Sequence, residues 1–296
     1  MSVFRIHLKS DTNSTFAELL DYCRNKGIVG IGWADVKTTV DDYDVLKKEC
    51  KEKYPKDKGA FKSINAIRQI QPGDFIWTRE GGQSTAYYLC RATDARWVDR
   101  VVSQDDINHD VTNYVGCKWV KVGNLDKVPG RVINSFRATS TAQHVYGVDT
   151  ISAVIWNKLC EEGDRCEIPQ IDNSDFWNNI GNEDLECLVL LYLQWKGYYI
   201  YSSTIKNDTK TYEAVLVSRD GKHKCYPQVK QNERLDPKDY VLDIDSSDKV
   251  ILFSSNEDYG KPHPQVECLK RDEIWKFIMQ NRVLLPDTVK YWIDLS

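Results

Sequence analysis

Three residues in one hairpin have the types to hold a divalent metal beside a phosphate: Glu213, Gln228 and Lys230. Strand alternation puts Gln228 and Lys230 on one face and Val229 on the other. An acid, an amide oxygen and an ammonium then converge at one end of a sheet. Hard oxygen donors suit Mg²⁺, with Mn²⁺ as a substitute, because Mg²⁺ keeps several of its waters. The ammonium of Lys230 acts as a compact point cation on the attacking water or on developing negative charge. The chemistry such a set serves is metal-assisted phosphodiester hydrolysis. A charged pair on a strand is also what any solvated sheet edge carries, so the neighbouring elements have to decide.

Asp220-Gly221 is a strong hairpin dipeptide; it joins an apolar strand, Tyr212 to Val217, to an extended run from Cys225 to Val229. Ahead of the hairpin, Asn182 to Lys196 reads as an apolar helix with Glu183, Asp184 and Glu186 near its start, and Gly197 stops it. Tyr198 to Thr204 and Lys249 to Phe253 read as strands, Leu269 to Gln280 as a charged helix, and Pro286 to Ile293 as a closing segment. This order predicts an α/β sandwich with a mixed central sheet. With Glu186 on the helix, Gly197-Tyr198 after it, Glu213, and then Gln228-Val229-Lys230, the second half resembles the PD-(D/E)xK nuclease superfamily, most nearly its Mrr-like restriction branch. The resemblance implies a restriction-endonuclease-like fold and a Mg²⁺-dependent endonuclease in which Glu186, Glu213 and Gln228 hold the metal and Lys230 completes the catalytic set. Glu213 stands where that family more usually has aspartate, and the longer side chain shifts the metal position.

The first half reads as short strands with a few helices. Ser2 to His7 alternates as a strand, and Ser14 to Lys26 is helical, with Ser14 as its cap and Gly27 ending it. Ile28 to Trp33 is a strand with two glycines, which predicts a bulge or another group approaching the backbone. Helices are expected over Val40 to Tyr54 and Gly59 to Ile70. Strands are expected over Phe75 to Arg79, Thr85 to Arg91, Val111 to Val122 and Arg131 to Ala138, the last two joined by a Pro129-Gly130 turn. Strand spacing and turns suggest a small barrel. GIVGIGW at 27–33, QPGDFIWTR at 71–79 and YYLCRATDARW at 87–97 resemble the PUA-like modified-base readers, near the EVE and YTH domains. That resemblance implies an α+β N-terminal domain with an aromatic base pocket. Trp33, Trp77 and Trp97 would be its walls, with Asp35 and Arg79 as base-edge or phosphate contacts. A π-face stacks on any base at about 1–3 kcal/mol, although an individual tryptophan is more often a core residue.

A chain of 296 residues suggests two domains: a PUA-like reader over 1–140, a connector over 141–181 in which Val148 to Trp156 reads as the start of a helix and the chain turns polar from about Glu161, and the nuclease-like domain over 182–296. Net charge is −4, so a nucleic-acid surface has to be a local patch. Nine scattered cysteines without a CxxC pair argue against a zinc site or a disulfide framework and fit a reducing cytosol. No apolar run is long enough to span a bilayer, and the N-terminus lacks signal-peptide character, so a cytoplasmic location is expected. The five histidines form no recognisable triad with Ser or Cys.

These readings combine into a modification- or structure-dependent DNA endonuclease that restricts foreign DNA, an antiviral defence role. PUA-like folds serve DNA and RNA alike, so both stay open as targets. Cutting both strands with one site per chain implies a homodimer, at least transiently. The competing reading is a nucleic-acid-binding sensor or adaptor in which the nuclease fold is an inactive scaffold.

Overall fold

The structure, a computed structural model, describes residues 1–9, 14–36, 42–57, 59–81, 86–94, 102–168, 173–205, 212–241 and 244–295. The chain divides into two compact units, Met1–Ile171 and Asp172–Ser296, each with its own mixed sheet. The fold is mixed α+β. Among the described residues no helix is long and apolar enough to cross a membrane.

The first unit is built on six strands: β1 (Val3–Ile6), β2 (Ile28–Ile31), β3 (Phe75–Arg79), β4 (Tyr87–Ala92), β5 (Asn113–Gly123) and β6 (Ala142–His144). They run in the order β2-β5-β4-β3-β1-β6, with β1 and β3 parallel and the other neighbours antiparallel. Although β1 and β2 are four places apart in that order, they pack together, so the sheet is curled. Its helices are α1 (Phe16–Lys26), α2 (Tyr43–Lys53), α3 (Ala60–Arg68), α4 (Gln104–Asn108), α5 (Gly130–Ser135) and α6 (Asp149–Leu159).

Local sequence accounts for α1 well. Thr15, one residue later than the expected Ser14, caps it in a reciprocal capping box with Glu18, and Gly27 ends it in the left-handed conformation at φ 66°. Leu19, Leu20 and Cys23 make its buried stripe. The expected strand over Arg131 to Ala138 is instead α5: Val132, Ser135 and Phe136 are buried at helical rather than alternating spacing. Residues 141–171, read as connector, belong to the first unit; β6 pairs with β1, and Trp156 of α6 is buried against Phe75, ring centroids 5.9 Å apart. The helix expected to start over Val148 to Trp156 is α6, and the polar character begins only near Glu161; the three-residue strand β6 had no such signal.

The second unit contains α7 (Asn173–Asn179), α8 (Asn182–Trp195), β7 (Tyr198–Ile200), β8 (Leu216–Ser218), β9 (Lys224–Lys230), β10 (Lys249–Ser254), β11 (Val266–Cys268), α9 (Arg271–Gln280) and α10 (Asp287–Ile293). The sheet order is β11-β10-β9-β8-β7; β7, β8 and β9 form an antiparallel meander, and β9, β10 and β11 run parallel. Trp177 of α7 sits against Phe253 of β10 and Trp275 of α9, while α8 packs on α9 and β9. The opposite face, with Val250 and Leu252 of β10, is covered by Leu235, Tyr212, Tyr240 and Tyr259. Register pairs Leu252 with Gln228 and Ser254 with Lys230, so Gln228 and Lys230 belong to this second face.

Candidate functional site

The strand predicted over Tyr212 to Val217 is shorter in the structure, and Pro227 explains why. Leu216 pairs with Cys225, which would set Ala214 opposite Pro227. Pro227 has no N–H to give to Ala214, so the ladder breaks and the register slips by one residue. The Glu213 N–H then donates to the Pro227 carbonyl at 2.9 Å. Two residues further along β9, the Val229 N–H donates to Oε1 of Glu213 at 3.4 Å. The carboxylate therefore lies on the main chain between Gln228 and Lys230. Gln228 is buried (5 % exposed) and Lys230 half-buried.

The end of β9 is tied to the start of α8 by Gln231, a residue the motif does not include. Its Nε2 donates to the carbonyls of Ile180, in the turn that leads into α8, at 2.8 Å and of Trp177, in α7, at 3.1 Å. Asn232, held at φ 57°, adds a bond from its Nδ2 to Asn178 Oδ1 at 3.4 Å. Glu186, half-buried in the early turns of α8, is carried on a helix that packs on the Phe253 face of the sheet, so the structure does not bring it together with Gln228 and Lys230 on the other face. The signal for Gln231 was its place directly after the motif; its role depends on carbonyls some fifty residues away in the chain.

Gln228 is an amide, and among the described residues no group of three or more His, Cys, Asp or Glu side chains is placed to hold a metal. The donor chemistry of Glu213 and Gln228 fits a small hard cation held by few protein oxygens and completed by water, as Mg²⁺ prefers.

The reader residues separate. Trp33 follows β2 with φ 68°, a strained conformation for a bulky residue, and is half-buried. Its indole Nε1 donates to Asp57 Oδ2 at 2.9 Å, and its carbonyl accepts from buried Asn113 Nδ2 at 3.2 Å. Asp35 lies two residues on; its N–H donates to the Tyr54 hydroxyl at 3.1 Å, and that hydroxyl donates back to Asp35 Oδ2 at 3.4 Å. Burial, then the neighbouring Asp35 and Asp110 carboxylates, raises the Tyr54 phenol above its ordinary pKa. The groups that approach the two glycines are protein. A Cβ on Gly30 would collide with Tyr114 of β5, and one on Gly32 with the Asp110 carboxylate.

Trp77 does not stand with Trp33. It is 0 % exposed, and its Nε1 donates to Ser152 Oγ of α6 at 3.0 Å. Its neighbour Ile76, on the opposite face of β3, joins the apolar cluster against which Trp33 packs. Alternation along β3 therefore turns the Trp77 indole to the α6 side, with no open face for a base. Arg79, at the end of β3, lies over the Phe136 ring at 5.2 Å and beside Arg5. Trp97 lies outside the described residues.

No protein-family model matches the chain, and no curated relative or solved structure matches it.

Proposed function

We propose that the second unit hydrolyses phosphodiester bonds with a bound Mg²⁺, and that the first unit presents a nucleobase, flipped or single-stranded, to the surface around Trp33. The observation that carries the reading is the Glu213 carboxylate set against the Val229 amide, between Gln228 and Lys230. In this scheme Glu213 and the Gln228 amide oxygen hold the metal, while Glu186 stays outside the set, because α8 packs on the other face of the sheet. Lys230 positions the attacking water and offsets charge on the phosphoryl oxygens. A bound Mg²⁺ would supply Lewis acidity and a hydroxide at neutral pH. The α8, β7-β8-β9 meander and parallel β10 order supports a PD-(D/E)xK-type, Mrr-like domain, and the curled sheet with Trp33 after β2 supports a PUA-like one.

In the first unit, Trp33 offers a stacking face, and the carboxylates of Asp35 and Asp57 can accept from base N–H groups. Together the two chemistries describe a modification-dependent endonuclease acting on DNA, with restriction of foreign DNA as its role. The deciding experiment incubates duplexes carrying different cytosine and adenine modifications with excess protein and Mg²⁺ or Mn²⁺, beside the Lys230→Ala variant. Cutting by the wild type alone supports the reading; intact DNA of every kind overturns it.

One observation favours a second reading, a binding protein on an inactive nuclease scaffold. The Glu213 carboxylate stands in for the ladder partner that Val229 lacks, and Gln228 is buried under an apolar layer. Mn²⁺ titration separates the two, because a scaffold takes up no metal in wild type or in Glu213→Ala.

A further inference from the structure

A cavity of about 330 Å³ opens in the first unit where α3 meets β6 and β1, lined by Lys62, Asn65, Gln69, Ser140, Gln143 and His144. Lys62, Asn65 and Gln69 share one face by their spacing of three and four residues. None of these three side chains has a partner among the described residues. Phe4 and Ala142 form the apolar floor. His144 presents a buried Nδ1 with no hydrogen bond, and its ring packs between Phe4 (centroids 5.0 Å apart) and the exposed Tyr146 (4.0 Å).

Behind this wall lies an uncompensated cation. Arg5 is 0 % exposed; its Nη2 donates to the Ser135 carbonyl at 2.7 Å and to Ser140 Oγ at 3.2 Å, and no carboxylate is among its partners. The Ser140 hydroxyl passes the polarity on, donating to Gln143 Oε1 at 2.8 Å. Among the described residues, no Asp or Glu side chain lines the cavity.

We propose that this cavity binds a single phosphate-bearing nucleotide. Lys62 meets the phosphate, backed by the field of Arg5. The carboxamides of Asn65 and Gln69 offer the paired donor and acceptor that complement a base edge, and Phe4 and His144 supply the apolar and aromatic wall against which the base packs. A pocket of this size sits at the small end of ligand sites, where one nucleotide unit fits and a larger cofactor does not. The nucleotide comes either free or as one unit of a strand. The site stands apart from the nuclease reading, because it uses none of the residues of β9 or α8.

The test is isothermal titration without divalent metal, using AMP, GMP, CMP and UMP in one arm and a 5′-phosphorylated single-stranded tetranucleotide in the other. Wild type, Lys62→Glu, Asn65→Leu and Trp33→Ala are compared, with circular dichroism confirming that each variant is folded. Binding that weakens at least ~10-fold in Lys62→Glu, changes its base preference in Asn65→Leu and survives Trp33→Ala supports the site. Mononucleotide binding identifies a free ligand, and binding of the tetranucleotide alone identifies a strand subsite. No heat from any ligand, or binding that both cavity variants leave unchanged, overturns it. Tetranucleotide binding lost only in Trp33→Ala also overturns it while leaving the base-reader reading intact.

Discussion

Glu213 and Val229, sixteen residues apart across the hairpin, meet through a carboxylate oxygen and a main-chain amide at 3.4 Å. The contact exists because Pro227 interrupts the ladder between them, leaving a strand N–H for a side chain to satisfy. If that carboxylate also binds metal, Glu213→Ala abolishes Mn²⁺ uptake, and Lys230→Ala lowers cleavage on the order of 10²-fold or more while retaining metal. Calorimetry for Mn²⁺ and a plasmid-nicking assay check the two halves. Mn²⁺ uptake that persists in Glu213→Ala rules out this acid as a ligand.

Gln231 fastens the end of β9 to the turn before α8. Gln231→Ala leaves the Ile180 and Trp177 carbonyls without their donor and is expected to cost about 1–3 kcal/mol of stability. Cleavage should fall through kcat with KM little changed, since Lys230 is displaced while the base surface of the first unit is untouched. Urea denaturation and steady-state kinetics on the same preparations provide the comparison.

Trp33 and Trp77 should behave oppositely. Trp33→Ala is expected to weaken nucleic-acid binding by about 1–3 kcal/mol with a small effect on folding. Trp77→Ala empties a fully buried site and strands Ser152, costing about 3–5 kcal/mol of stability. Fluorescence-anisotropy titration and thermal unfolding separate the effects; a large stability loss in Trp33→Ala would mark Trp33 as a core residue.

Acid stability is sensitive to His7. Burial is the main cause lowering its pKa to about 4, followed by the like charges of Arg5, Lys9 and Arg79, against a raising hydrogen bond with the Ala138 carbonyl. The folded state thus holds this imidazole neutral where the unfolded chain protonates it. Its contribution is complete above the unfolded value of 6.5 and is lost as pH falls towards about 4. Each fully differential proton contributes up to about 1.4 kcal/mol per pH unit. His144 is shifted in the same direction, mainly by burial, and adds to the slope. Urea midpoints measured from pH 7.5 to 4.5 should fall steadily, and His7→Gln should flatten the curve; equal slopes in the two proteins would refute the assignment.

Asp106 is buried at the start of α4, where its carboxylate accepts from the Ser103 N–H at 2.8 Å, the Ser103 hydroxyl at 2.7 Å and the Tyr22 hydroxyl at 2.8 Å, and pairs with Lys26. Asp106→Ala leaves those donors and the ammonium uncompensated, and a loss of about 3–5 kcal/mol is expected. Chemical denaturation of Asp106→Ala beside Lys26→Met tests whether the cost lies in the stranded cation, in which case the double variant recovers part of it.

Patterns confined to a few neighbouring residues were legible in the chain. Gly27 ends α1, whose cap is Thr15 and not the neighbouring Ser14 that the chain also offered, Gly197 stops α8 in a positive-φ conformation (99°), and Asp220-Gly221 turns the hairpin. Arg131 to Ala138 misled because Val132, Ile133 and Phe136 have strand-like character, while their burial is arranged by the packing of α5. Within 141–171 the helix over Val148 to Trp156 was legible, but β6 was not, because it is short and has no hydrophobic run of its own; its partner β1 lies at the other end of the unit's sequence.

The chain's own residues determined the chemistry on offer: an acid, an amide and an ammonium in one hairpin, and tryptophans placed after strands. Only the tertiary structure decided which of these meet. Proline at position 227 is visible in the sequence, but its effect, a slipped register that sets the Glu213 carboxylate on the Val229 amide, requires the partner strand. Likewise Trp33 and Trp77 are the same residue type, one just after β2 and the other in the middle of β3. Strand pairing and the position of α6 turn Trp77 fully into the core and leave Trp33 half-buried at its margin, because side-chain direction follows register and burial follows what packs on each face.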